Sequence, residues 1–243
     1  MDYQEWSELW GKLRKDAGNV DGVKSAWKIP PPRECLKMGW EFPEGYRKRS
    51  TGRGEQEIEG WFLGVKGSRK LHSLVSSGHT ESYSVTGVLH NVGLAIRRPK
   101  NRIADCLGIL HTTKRPHPLA VEVKVSPSAG GLWFAAVENL QQVRMLRSNV
   151  ANAQKDFERR GDADFKGAWG LVLVSEKYLS KCGGEMAQVE GLLACLNAKQ
   201  TRARIMVAVA DMRNDIIRHV GGYWPFERAL ESPPSCAPLF TCP

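Results

Sequence analysis

Two acids and a lysine carry the chemistry that can be read most directly: Asp105, and Glu122 with Lys124 two residues on. Residues 119–125 alternate, with Leu119, Val121, Val123 and Val125 on one face and Ala120, Glu122 and Lys124 on the other. That period of two is the mark of a half-buried β-strand. Glu122 and Lys124 therefore share a face, as a solvated surface ion pair also would. Asp105 is a lone carboxylate within the otherwise apolar stretch 102–110. An ionised acid there needs a partner or a metal ion. Arg97 or Arg102 is the ordinary partner; a cation shared with the acid on the neighbouring strand is the functional one.

The elements that must position these groups follow in order. From Gly54 a helix is predicted through Leu63, with acids in its first turn, where the helix dipole favours them. Ile58 and Phe62 mark its buried stripe, Glu55 stands at the rim of that face, and Glu59 competes with it one turn on. Residues 64–86 are rich in Ser, Gly and Lys and read as irregular, either a loop over a site or plain surface. Two strands follow, 88–97 and 102–110, joined as a hairpin by the turn 98–101. A turn holding His111, His117 and two prolines leads to the strand of Glu122. The histidines could contact phosphate, but read more simply as exposed bystanders.

Beyond the turn at 126–131, a helix over about 136–153 buries Leu140, Val143 and Leu146 (or Arg147) and carries Gln141 and Gln142 beside that face. Gln142, directly before Val143, is slightly preferred. The continuous apolar run 169–174 reads as a central strand, 188–198 as a helix, and 205–210 as another central strand. Near the start, Trp6, Leu9, Trp10 and Leu13 fall at helical spacing, and Ile29-Pro30-Pro31-Pro32 ends any helix and opens a linker. Trp27, Trp40, Phe42 and Tyr46 are scattered among basic residues there. Together with Tyr46-Arg47-Lys48-Arg49 they could grip a nucleic-acid backbone, or form an arm folded over the core.

The 243 residues suit one large domain with an extension. There are 35 Lys and Arg against 26 Asp and Glu, a net charge of +9. The pI near 9.3 favours a polyanionic partner, nucleic acid first and an anionic membrane second. Six cysteines show neither C-x-x-C nor Cys/His ligand spacing, which argues against a structural zinc site. The start lacks a signal-peptide pattern and no apolar run approaches transmembrane length, so the expected location is reducing and cytoplasmic.

Helix, three strands, helix, strand, helix, strand, with Asp105 on the second strand and Glu122-Val123-Lys124 on the third: this order resembles the PD-(D/E)XK nuclease superfamily over roughly residues 54–211. Ala104, not proline, precedes Asp105. The resemblance implies an α/β, restriction-endonuclease-like core (54–215), its central mixed sheet flanked by helices. An N-terminal Trp-rich extension (1–53) and a C-terminal tail (216–243) complete the chain. It implies a Mg²⁺-dependent deoxyribonuclease, with Mn²⁺ able to substitute, in prokaryotic restriction, phage defence or repair. Asp105 and Glu122 would be metal ligands, the Val123 carbonyl a third, and Glu55 a holder of a second metal or a water. Lys124 would orient or help deprotonate the attacking water, and Gln142 would position Lys124 or the phosphate. DNA is the implied substrate, with RNA left open, acting as a homodimer or with a partner protein docked on the N-terminal segment. A catalytically silent nucleic-acid-binding or partner-binding subunit of the same fold is the alternative, and intact Asp105, Glu122 and Lys124 favour the enzyme.

Overall fold

The computed structural model describes residues 1–32, 54–64, 70–78, 80–92, 104–113, 116–127, 130–148, 167–197 and 203–224. Among these residues seven strands run in chain order: β1 Leu71–Ser76, β2 Tyr83–Val92, β3 Ala104–His111, β4 Pro116–Lys124, β5 Trp169–Val174, β6 Ile205–Asp211 and β7 Ile216–Gly222. The helices are α1 Tyr3–Lys15, α2 Val20–Lys28, α3 Glu55–Leu63, α4 Leu132–Ser148, α5 Glu176–Cys182 and α6 Met186–Asn197. Strands β1 to β4 pair antiparallel, β4–β5 and β5–β6 pair parallel, and β6–β7 is antiparallel. The two parallel steps are the ones bridged by helices, as parallel pairing requires.

The expected open, restriction-endonuclease-like sheet is corrected by one pairing. β1 and β7 run parallel, with Ser73 opposite Ile216 and Ser76 opposite His219, and this joins the two edges into a closed seven-stranded barrel. Both strands lie where the sequence signals are weak. β1 falls in the Ser-, Gly- and Lys-rich stretch read as irregular, and β7 in the stretch read as tail. Closure satisfies backbone groups that an open sheet would leave unpaired at its edges.

Side chains from all seven strands form the barrel interior, among them Leu74, Val85, Cys106, Val121, Leu171, Ala208 and Ile217, joined by Ile58 and Phe62 of α3. A second core lies outside the barrel, where α1, α2, α4 and α6 cover the outward residues of β3 to β6, including Leu107, Ala120, Val172 and Val207. Because α4 lies over it, β4 is buried on both faces along most of its length, not on one. Glu122 and Lys124 are thus enclosed between strand and helix.

α1 begins with a capping box in which Asp2 and Glu5 each bond the other's backbone N–H. Its Trp6 and Trp10 are fully buried in the outer core, with Trp27 of α2 beside them. Indoles in that setting are packing residues, not a stacking platform. The basic run 46–49, Trp40, Phe42, the turn 98–101, Arg97 and Arg102 lie outside the described residues.

α3 starts at Gly54, whose φ of +71° is a left-handed conformation that glycine adopts without strain. Its last turn comes so close to β2 that a Cβ added to Gly87 would stand 2.3 Å from the Phe62 carbonyl oxygen and 2.9 Å from Leu63 Cα. Backbone cannot yield as a side-chain tip can. Gly87→Ala is therefore expected to destabilise the protein by about 1–3 kcal/mol through overpacking. Equilibrium denaturation checks this, and an unchanged midpoint would mean that α3 sits further from the barrel.

Candidate active site

The β3–β4 ladder ends with Cys106 opposite Val121, and Asp105 and Glu122 lie one residue beyond that pair on the two strands. Leu107 and Ala120, the next pair inward on the same side, belong to the outer core. Glu122, two residues on from Ala120, therefore faces the layer under α4. Asp105 Oδ2 accepts a hydrogen bond from the Val123 N–H at 2.8 Å, so a side chain continues the ladder where backbone pairing stops. N–H and C=O of one extended residue point to the same edge, which turns the Val123 carbonyl toward Asp105 as well.

Glu122 is 4% exposed and each of its oxygens is engaged. Lys124 Nζ donates to Oε1 and Gln142 Nε2 to Oε2. Gln142 is itself oriented: Asn139 Nδ2 donates to its Oε1 at 2.9 Å and also to the Ala120 carbonyl at 3.1 Å. Lys124 has a second acid, Glu138 Oε2 at 3.3 Å. Glu138 Oε1 in turn accepts from Arg14 Nη1 of α1 at 2.6 Å. Exposure grades from floor to rim along this series, from 5% for the Glu122 side chain to 20% for that of Glu138. The end of β4 is held by α5: Ser175 caps that helix through Tyr178 N–H, while its own N–H donates to the Lys124 carbonyl at 3.0 Å.

Burial is the leading influence on the acids of the floor. Burial, with the charges of Glu59 and Glu55 behind it, raises the Asp105 carboxyl to about 6 against the pull of the Val123 N–H and Lys124. Burial, then the charges of Asp105 and Glu138, raise Glu122 well above the ordinary carboxylate range. For Lys124, burial opposes the charge but Glu122 and Glu138 outweigh it and hold the ammonium protonated. Glu138 is lowered despite its burial, because the neighbouring Glu122 is the acid of the pair that favours the proton and because Lys124 and Arg14 stand close by.

Of the residues expected from the sequence, Asp105, Glu122, Val123, Lys124 and Gln142 come together here. Gln141 turns away to accept from Arg14. Glu59 is buried at 6% exposure, whereas Glu55 is only partly covered; the charges of both raise the Asp105 carboxyl. The histidines are remote and occupy strands, not a loop. His111 pairs with Thr86 Oγ1 at 2.9 Å, and His117, 4% exposed, lies against Trp169. Glu138, Asn139 and Arg14 were not foreseen. Glu138 precedes Gln142 by one helical turn, a signal available in the sequence; nothing local points from Arg14 to a group 124 residues away.

Among the described residues no three His, Cys, Asp or Glu side chains group so as to enclose a metal ion. Asp105 and Glu122 form a two-carboxylate set with a backbone carbonyl beside it. That suits Mg²⁺, which takes one or two carboxylates and keeps several waters, and not an ion needing a full protein cage. Burial is the first cause of the raised Asp105 and Glu122 carboxyls and neighbouring acids the next, and a divalent ion beside them would favour their ionised forms.

The chain matches no family model, no curated protein and no solved structure. Among the described residues no helix is long and apolar enough to cross a membrane.

Proposed function

We propose that the chain is a Mg²⁺-dependent nuclease hydrolysing phosphodiester bonds, with DNA as substrate. The observation that carries this reading is the convergence of Asp105 and Glu122 at the end of one ladder, with the Lys124 ammonium on the same face. Net charge of +9 supports a polyanionic substrate. A divalent cation at the two carboxylates would offset charge on the phosphorus centre and lower the pKa of the attacking water.

Asp105 and Glu122 would hold that cation, with the Val123 carbonyl as third protein ligand. Gln142, fixed by Asn139, keeps the Glu122 carboxylate in one orientation. Lys124 enters the reaction as a cation, since Glu122 and Glu138 keep it protonated; its role is to donate hydrogen bonds to the water and to a non-bridging oxygen as charge develops. Deprotonation of the water by Lys124, the other role expected for it, would require both acids to release it first.

Lys124→Met is expected to lower cleavage about a hundred-fold or more with metal affinity retained. Calorimetry beside initial rates checks this, and normal turnover would remove Lys124 from the reaction. The reading as a whole is tested with supercoiled plasmid, linear duplex, single-stranded DNA and RNA, each with Mg²⁺, Mn²⁺ or EDTA. Metal-dependent cleavage of a DNA substrate is expected. Cleavage of RNA alone would reassign the substrate, and intact material in every lane would overturn the proposal.

A further inference from the structure

We infer that Arg14 of the N-terminal helix is a positioning residue for Lys124, acting through Glu138; the inference rests on the reading of the site as a hydrolytic centre. Glu138 divides its two oxygens, Oε1 to Arg14 at 2.6 Å and Oε2 to Lys124 at 3.3 Å. Arg14 is held on its other sides by the Gln141 side-chain oxygen and the Phe134 ring, 5.8 Å from its guanidinium carbon. The helix that presents it is anchored by the buried Trp6 and Trp10 and by the Trp133 indole N–H, which donates to the Leu13 carbonyl at 3.1 Å. Arg14 therefore reaches Glu138 from a rigid base.

The arrangement matters because Lys124 occupies a Glu122 oxygen that a cation would need. Glu138 is the alternative partner for the ammonium, already within 3.3 Å and at the rim. A carboxylate with a fifth of its side chain exposed would otherwise turn toward water. Arg14 prevents that with a charge-assisted bond, which leaves Glu138 aimed inward as a second seat for Lys124. The N-terminal helix is then a wall of the site and not a detachable arm.

The test uses the full chain with Arg14→Ala, Arg14→Lys and Glu138→Gln, and with Lys15→Ala, which removes the same charge from the next, exposed position of α1. Arg14→Ala and Glu138→Gln are expected to lower kcat about ten- to a hundred-fold with KM for duplex DNA nearly unchanged, as loss of one charge-assisted bond implies. Arg14→Lys should recover most of the rate, and Lys15→Ala should match the wild type. Wild-type kcat in Arg14→Ala, or an equal loss in Lys15→Ala, would overturn the inference. A second readout is labelling of Lys124 by an amine-reactive reagent at one fixed pH without metal, quantified by mass spectrometry. Faster labelling in Arg14→Ala and Glu138→Gln supports the inference even if the wild type cleaves nothing, a result that would instead overturn the hydrolytic reading. Equal labelling in all chains would overturn the positioning role itself.

Discussion

Glu122→Gln is expected to reduce Mg²⁺-dependent cleavage by about a thousand-fold or more while leaving the fold in place. The substitution keeps volume and shape but removes the negative charge, and a neutral amide is a poor ligand for a hard cation. Losing several kcal/mol of charge stabilisation in the transition state corresponds to a factor of that order. Folding should change little: burial already pushes the Glu122 carboxyl toward its neutral form, Gln142 keeps an acceptor, and Lys124 keeps Glu138. Initial rates beside circular-dichroism melts separate the two effects. Cleavage at near-wild-type rate by a well-folded Glu122→Gln would remove the residue from the site.

Asp105→Asn should abolish cleavage and at the same time stabilise the metal-free protein at neutral pH. The Asp105 carboxyl is raised from 3.8 to about 6, first by burial. A folded-state value above the unfolded one means that the group's contribution to stability is fully present below about pH 4 and is lost as pH rises through about 6. Roughly two pH units correspond to a loss on the order of 2–3 kcal/mol at pH 7.5. Asparagine cannot ionise and still offers an oxygen to the Val123 N–H, so its stability should stay flat over that window. In the wild type, Mg²⁺ should restore what ionisation costs, since binding to the native state alone stabilises it. Parallel melts from pH 4 to 7.5, with and without Mg²⁺, read this directly. A wild-type protein that gains stability across that interval without metal would contradict the description of the floor. Residues that weaken the fold yet serve the reaction are a known compromise in active sites.

The sequence was most legible where a pattern was local and strong. The alternation of residues 119–125 placed Glu122 and Lys124 on one face, and the apolar runs at 169–174 and 205–210 are strands β5 and β6, though of a closed barrel and not the centre of an open sheet. What it hid depends on contacts distant along the chain. β1 has only six residues, and its pairing with β7 joins positions more than 140 apart, so neither strand announces itself by periodicity and the closure of the barrel escapes a local reading. α2, with Gly22 in its first turn and three buried residues in nine, gives too short a stripe to stand out. The pair Glu122 and Lys124 looked compatible with a solvated surface because alternation tells which residues share a face but not what covers that face. α4 covers it, and brings Glu138 and Asn139 with it. Arg14 lies on the polar margin of a helix whose tryptophans draw the eye, and only the packing of α1 on α4 gives it a destination.

Whether Asp105 and Glu122 hold a divalent cation decides the proposed chemistry, and calorimetric titration of the purified chain with Mn²⁺ and Mg²⁺ at pH 7.5 measures that without a choice of substrate. The wild type should bind with release of protons, because cations displace them from the raised carboxyls; Glu122→Gln and Asp105→Asn should each lose the site. Binding that persists unchanged in both variants, or no binding by a folded wild type, would contradict it.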